Sequence, residues 1–264
     1  MKNDYAVLIL SCDKYSDTWY PFFSSYSKFW KYDKTKIYLV TNNIEFNGVI
    51  NLTTIKTGDE TSWSSKVRIA LKSICEKYIL VLLDDYFLID NVSTDEIRDL
   101  YTFIESDNVD YLCLIPSQRK NVYKDNISMI SKKNLYGKTL QPAFWRKDYF
   151  QSCLYNDDFS AWEFENRQKF DSDLALYGKD CCTNKKIIRF TNGVLQGKWY
   201  PSSVKIMSKI GIHFSIEERG MLPFNQVVKH KFRVFLAKIL PVTIIKKSKR
   251  ILEKIGIKFI TDSH

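Results

Sequence analysis

No stretch of this 264-residue chain approaches the roughly 18–20 uninterrupted apolar residues of a membrane-spanning helix. The apolar run near the start, Ala6 to Leu10, is too short for the core of a secretory signal. A cytoplasmic protein is expected on both counts. The six cysteines (Cys12, Cys75, Cys113, Cys153, Cys181 and Cys182) lack C-x-x-C spacing and a nearby histidine pattern. The adjacent pair at 181–182 is poorly placed for a structural bridge, so reduced, mostly buried thiols are predicted. There is no internal repeat and no low-complexity linker. With 45% hydrophobic and 27% charged residues, the composition also excludes a disordered or fibrous chain.

What is present is uneven. The net charge is +10, and residues 225–264 hold ten Lys and Arg against Glu253 and Asp262, a balance of +8 that leaves +2 for the rest. The basic character therefore belongs to a tail. The body, residues 1–224, is expected to be one α/β domain with a sheet covered on both faces. Its first part, 1–116, alternates apolar runs with helical stretches. Tyr5–Leu10, Lys36–Val40, Val49–Ile55, Tyr78–Leu83 and Tyr111–Ile115 read as strands. Asp17–Trp30, a helix capped by Ser64 and running to Lys77, and Thr94–Glu105 read as helices. From Pro116 the pattern turns irregular and aromatic-rich, with strands predicted at Ile127–Ile130 and Thr139–Trp145 and a short helix at Asp148–Leu154. Residues 117–224 are thus expected to be a built-on acceptor region. The tail reads as two amphipathic helices split by Pro241.

In an open α/β sheet, ligands sit beyond the carboxyl ends of the strands. Ser11–Tyr15, Thr41-Asn42 and Asp84-Asp85 should therefore converge on one cleft. Two Asp directly after a six-residue apolar strand place strong charge where desolvation is costly unless a cation or a donor compensates. A Mg²⁺ or Mn²⁺ ion bridging carboxylate and diphosphate oxygens would do so; alternatively the pair caps the following turn and meets Lys or Arg.

Around that pair, Leu82-Leu83-Asp84-Asp85-Tyr86-Phe87 is preceded by Trp63-Ser64-Ser65-Lys66-Val67-Arg68. It is followed by Leu140-Gln141-Pro142-Ala143-Phe144-Trp145-Arg146 and Trp162-Glu163-Phe164-Glu165. In this order the sequence resembles bacterial glycosyltransferases of the GT-A fold, more narrowly those of capsule and lipopolysaccharide assembly, over roughly residues 5–220. The resemblance implies a nucleotide-sugar donor and a metal held by an Asp-x-Asp motif, which here departs from type as Asp84-Asp85-Tyr86. By that resemblance Ser11, Asp13, Asn42, Lys66, Arg68 and Asp84 are donor-side residues, and Asp84 and Asp85 meet the ion. Lys198, in Gly197-Lys198-Trp199, would neutralise the departing nucleoside diphosphate, with His213 and Arg219 as rivals. His213 is also a candidate third metal ligand.

Ser160-Ala161-Trp162-Glu163 fits a capping box, in which Glu163 reaches back to the cap. The resemblance also puts an acceptor-activating carboxylate at this helix start, beside a sugar-stacking Trp162. Glu163 and Glu165 lie about 200° apart round a helix, so only one can face the cleft. If Glu163 is consumed by capping, Glu165 becomes the base. Gln141, Trp145 and Tyr123 complete the acceptor-side candidates.

The expected partners are a nucleotide sugar, a lipid-linked glycan acceptor and an anionic membrane surface reached through residues 225–264, with homo-oligomerisation left open. The enzyme would then be peripheral on the inner face of the cell membrane. On a helical projection Val228, Phe232, Phe235, Leu236 and Ile239 share about 100° of arc, with Lys229, Lys231, Arg233 and Lys238 outside it. Nucleic acid is excluded as a partner, because the basic residues sit on amphipathic helices with few stacking aromatics. Two rival readings are a nucleotidyltransferase, although Ser11–Tyr15 has no glycine for a phosphate loop, and a non-catalytic sugar-binding or scaffold subunit.

Overall fold

The computed structural model describes residues 5–31, 35–49, 51–59, 61–117, 120–131, 137–168 and 178–239. In chain order it forms β1 (Tyr5–Leu10), α1 (Ser16–Phe29), β2 (Ile37–Thr41), β3 (Leu52–Lys56), α2 (Trp63–Ser73), β4 (Tyr78–Leu83), β5 (Tyr86–Leu88), α3 (Thr94–Ser106) and β6 (Tyr111–Cys113). There follow β7 (Lys120–Lys124), β8 (Ile127–Ile130), β9 (Ala143–Arg146), α4 (Lys147–Cys153), α5 (Ala161–Arg167), β10 (Asp180–Thr183) and β11 (Phe190–Asn192). The short pair β12 (Val194–Leu195) and β13 (Lys198–Trp199), α6 (Pro201–Lys209) and α7 (Phe224–Ile239) close the described chain.

Nine strands make one mixed sheet in the order β3-β2-β1-β4-β9-β6-β10-β8-β7. β1 pairs in parallel with β2 and with β4, where Leu10 is opposite Leu83. β9 runs antiparallel to both of its neighbours, β4 and β6. The side-chain period of two explains the two cores. Val7, Ile9, Leu80 and Leu82 face one cluster, covered by Trp19, Phe22 and Tyr26 of α1 and Ile97 and Ile104 of α3. Ala6, Leu8, Ile79 and Val81 face the other, covered by Val67 and Leu71 of α2 and Phe164 of α5. Such double coverage is why β1 and β4 read as unbroken apolar runs.

The structure differs from the expectations in three places. The cap of α2 is Ser62, whose side chain accepts from Ser65 N. Ser64 lies buried inside the first turn, where its Oγ donates to Asp157 O and accepts from Phe159 N, both at 3.0 Å. The strand predicted at Val49–Ile55 is the shifted β3. The region after Pro116 does not stand apart, since β7 to β10 extend the same sheet and β9 is inserted beside β4. All six cysteines are free, four of them buried.

Beyond β4 the chain turns at Asp84-Asp85 into β5, which pairs antiparallel with β11. Gly193, just after β11, donates its N–H to Asp85 O at 2.8 Å. A Cβ at Gly193 would stand 1.8 Å from Phe87 Cε2, and Phe87 is fully buried beside Trp199. Only glycine lets the backbone approach this closely. Gly193→Ala should therefore cost about 1–3 kcal/mol through overpacking. A thermal melt should show the midpoint falling by about 2–12 °C, and an unchanged midpoint would mean that Phe87 moves freely.

Candidate active site at the carboxyl ends of the strands

The turn after β4 lies against the loop after β1. Ser11 Oγ donates to Asp84 Oδ2, and Trp19 Nε1 in turn donates to Ser11 Oγ at 2.7 Å. Asp84 is buried and Asp85 half-buried. Burial, and then the charge of Asp85, push the Asp84 carboxyl well above the ordinary carboxylate range, against the Ser11 hydroxyl and Arg219. Burial likewise lifts Asp85 to about 6, opposed by its own backbone N–H and by Arg219.

Arg219 is the cation built into this site. It is buried; its Nε donates to Asp17 Oδ2 at 2.9 Å, its Nη2 donates to Asp17 Oδ1, and its Nη1 and Nη2 donate to the carbonyls of Gly197 and Lys14. Its guanidinium lies 4.4 Å from the centre of the Tyr15 ring. The residue thus joins α1, the turn after β1 and the β12–β13 hairpin around the two acids. Tyr15, half-buried, has its hydroxyl held in the neutral form by burial and by Asp84.

The loop after β2 closes one side. Both Asp13 oxygens accept backbone N–H groups, from Asn42 at 2.8 Å, Asn43 at 2.9 Å and Ile44 at 3.2 Å. Lys66 Nζ donates to Asn42 Oδ1 at 3.0 Å, and its charge eases ionisation of the Cys12 thiol, which burial otherwise opposes. Asp13 therefore fixes two strand-end loops relative to each other, and Lys66 adds positive charge beside Ser11-Cys12.

On the acceptor side the capping box of α5 is formed. Glu163 Oε2 accepts from Ser160 N at 2.7 Å and Ser160 Oγ at 2.8 Å, while Ser160 Oγ receives Glu163 N. Glu165 points elsewhere. It is half-buried, its Oε1 accepts from Leu140 N at 2.8 Å, and its charge joins that of Asp85 in disfavouring ionisation of the buried Tyr86. Glu165 and the acidic turn therefore flank one tyrosine, with the half-buried Gln141 next to Leu140. Trp162 is 41% exposed on α5.

Several sequence expectations are corrected. Trp145 is wholly buried between Tyr111 and Phe150, with ring centres at 4.4 and 4.5 Å, so it is a core residue and not a sugar platform. Tyr123 is on the edge strand β7, donating to Asp107 at 2.6 Å. Arg68 is spent on structure: its guanidinium donates to Asp157 O at 2.7 Å and to Asp158 Oδ1 at 2.9 Å, stapling α2 to the loop before α5. His213 is exposed beyond α6, and among the described residues no three His, Cys, Asp or Glu gather to hold an ion. Asp84, Asp85 and His213 are therefore not one ligand set. Lys198 is exposed on the hairpin, whereas Arg219 is the cation whose field reaches both acids.

The sheet is the expected one, covered on both faces with an acidic turn leaving its fourth strand, and the order 3-2-1-4 with an antiparallel strand next is what the structure adds. The fold is of the GT-A type. No protein-family model matches the chain, and no curated protein matches it. Among solved structures, TarS of S. aureus is similar over 70% of this chain and 36% of its own, at 11% identity and a TM-score of 0.46. This chain thus spans about a third of the length of that structure. HddC from Yersinia pseudotuberculosis is similar over 78% of this chain and 99% of its own, at 12% identity and a TM-score of 0.46. A UDP-glucose pyrophosphorylase complexed with UDP-glucose is similar over 78% and 96%, at 7% identity and the same TM-score.

A pair of carboxyls whose ionisation burial opposes fits a Mg²⁺-type ion, which takes one or two protein carboxylates and completes its shell with substrate phosphate and water. Sequence reasoning ranked Arg219 only as a rival because its ion-pair partner, Asp17, is 202 residues away along the chain. A Glu-Arg-Gly run carries no periodic signal. Tyr15 was visible as the end of the Ser11–Tyr15 loop, and Trp19 only as one aromatic of the Asp17–Trp30 helix.

Proposed function

We propose that the chain is a nucleotide-sugar-dependent glycosyltransferase that passes one sugar to a hydroxyl of a lipid-linked surface glycan. The observation that carries the reading is the acidic pair at the strand ends, buried Asp84 and half-buried Asp85, within the field of the Arg219 charge. Asp84 and Asp85 would hold a divalent ion, which supplies charge to the donor's diphosphate. Arg219 and Lys66 add fixed positive charge where negative charge grows as the glycosidic bond to phosphate breaks. Glu165 takes the proton of the acceptor hydroxyl as its oxygen attacks the anomeric carbon. Trp162, exposed on the same helix, offers a flat apolar face to the acceptor sugar.

The testing experiment is a screen of the purified chain over nucleotide sugars, with and without Mn²⁺. Release of nucleoside diphosphate from one donor is the expected result. Pyrophosphate release from a nucleoside triphosphate and a sugar phosphate would replace this reading with the nucleotidyltransferase one. Donor binding without turnover, even with acceptor supplied, would replace it with a sugar-binding subunit.

A further inference from the structure

An apolar stripe on the tail has two destinations open to it, the body of this protein or something outside. The structure separates them for the start of α7; the side chains of 233–239, with Phe235, Leu236 and Ile239 among them, and the second predicted helix after Pro241 lie outside the described residues. On α7 the residues turned to the body are Val227, 8% exposed, and His230, half-buried with its ring 5.7 Å from that of Tyr200. Phe224, Val228 and Phe232 are instead 81%, 48% and 54% exposed. At 100° per residue these three span about 80° of the helix surface, centred about 130° away from the docked side. Lys231 falls about 20° before that arc and Lys229 about 60° beyond it, both exposed. Ile216 and Met221, on the segment leading into the helix, are also exposed. No described helix is long and apolar enough to cross a membrane.

We infer that this open face of α7 is a docking surface for an anionic lipid bilayer, lying in the headgroup layer with Phe224, Val228 and Phe232 turned toward the acyl chains. Two phenylalanines as exposed as Phe224 and Phe232 are a cost that monomers seldom carry without use. The flanking charge selects the partner. Residues 225–264 carry ten Lys and Arg against two acids, so an anionic surface attracts the whole segment, each nearby cation adding about 1 kcal/mol. An apolar stripe between basic edges is the pattern of an interfacial helix. Charge also argues against a second copy of the chain as the occupant, because two tails of +8 would face one another.

The inference stands apart from the reaction proposed above, since vesicle binding is read without donor or acceptor. The full chain should co-float with phosphatidylglycerol-containing vesicles at low ionic strength, bind phosphatidylcholine vesicles much less, and lose most binding in about 0.5 M salt. The combined variant Phe224→Ser, Val228→Ser, Phe232→Ser should bind at least about 10-fold more weakly with an unchanged melting midpoint, because each side chain is solvent-exposed. If that variant misfolds, Lys229→Glu with Lys231→Glu, also at exposed positions, should give the same loss. Equal binding by wild type and folded variant would overturn the inference, as would a full chain that ignores anionic vesicles at low salt. A dimer that the serine variant dissociates, without vesicle binding by the wild type, would overturn it in favour of a second copy.

Discussion

Asp85→Asn should abolish sugar transfer and at the same time make the protein harder to unfold. The carboxyl is lifted to about 6 by burial, so above that pH the fold carries a desolvated charge that the unfolded chain keeps in water. From an ordinary value near 3.9, the penalty reaches up to about 3 kcal/mol at neutral pH. The sign follows from proton counting. Between about pH 4 and 6 the folded state binds more protons than the unfolded one, so wild-type stability falls across that window and stays reduced above it. The amide variant has no such loss. Its melting midpoint at pH 7.5 should exceed that of wild type, and the two should converge toward pH 4. Turnover should drop by about 10³-fold or more, as for other groups that stabilise charge in a dry site. Asp84→Asn should behave alike, because an amide oxygen can still accept from Ser11 Oγ. Added Mn²⁺ should raise the midpoint of wild type and leave both variants where they are. A less stable Asp85→Asn protein at pH 7.5, or one that keeps wild-type turnover, would remove this pair from the centre of the site.

The second large effect is expected at Glu165. Glu165→Gln should lower kcat by about 10²–10⁴-fold with donor KM little changed, the range for loss of a general base. Its amide oxygen can still accept from Leu140 N, so the loop should stay in place. Glu163→Gln, by contrast, only weakens a helix cap, worth about 1 kcal/mol of stability, and should leave kcat within a few-fold of wild type. Steady-state kinetics on the donor found in the screen, with acceptor saturating, separates the two. Equal mild losses in both variants would place the base elsewhere.

Much of this was legible in the residues themselves. Tyr78–Leu83 ending in two carboxylates announced both a doubly covered strand and the place where ligands meet it. Ser160-Ala161-Trp162-Glu163 announced its capping box, which directed the role of base to Glu165. What could not be read was long-range pairing. The sequence pattern predicts an extended run at Thr139–Trp145, not that its later part, Ala143–Arg146, enters the sheet between β4 and β6. A tryptophan in a strand has the same letter whether it faces a sugar or a core, and Trp145 faces a core. Arg68 and Arg219 look alike in sequence; only the fold ties one to Asp158 and the loop before α5 and the other to Asp17, where its charge also reaches the acidic pair.

The insertion of β9 bears on how this protein is made. β4 ends at Leu83, but the strand that covers its outer edge begins at Ala143. At a ribosomal pace of about 5–20 residues per second, the intervening stretch of about 60 residues takes about 3–12 seconds to emerge. For that time the nascent chain presents the unpaired edge of its most apolar strand, with β6 unable to dock because its own neighbour is missing. A ribosome stalled just before Ala143 would therefore hold a half-sheet whose exposed edge, Tyr78–Leu83, is the stretch a chaperone would find easiest to hold.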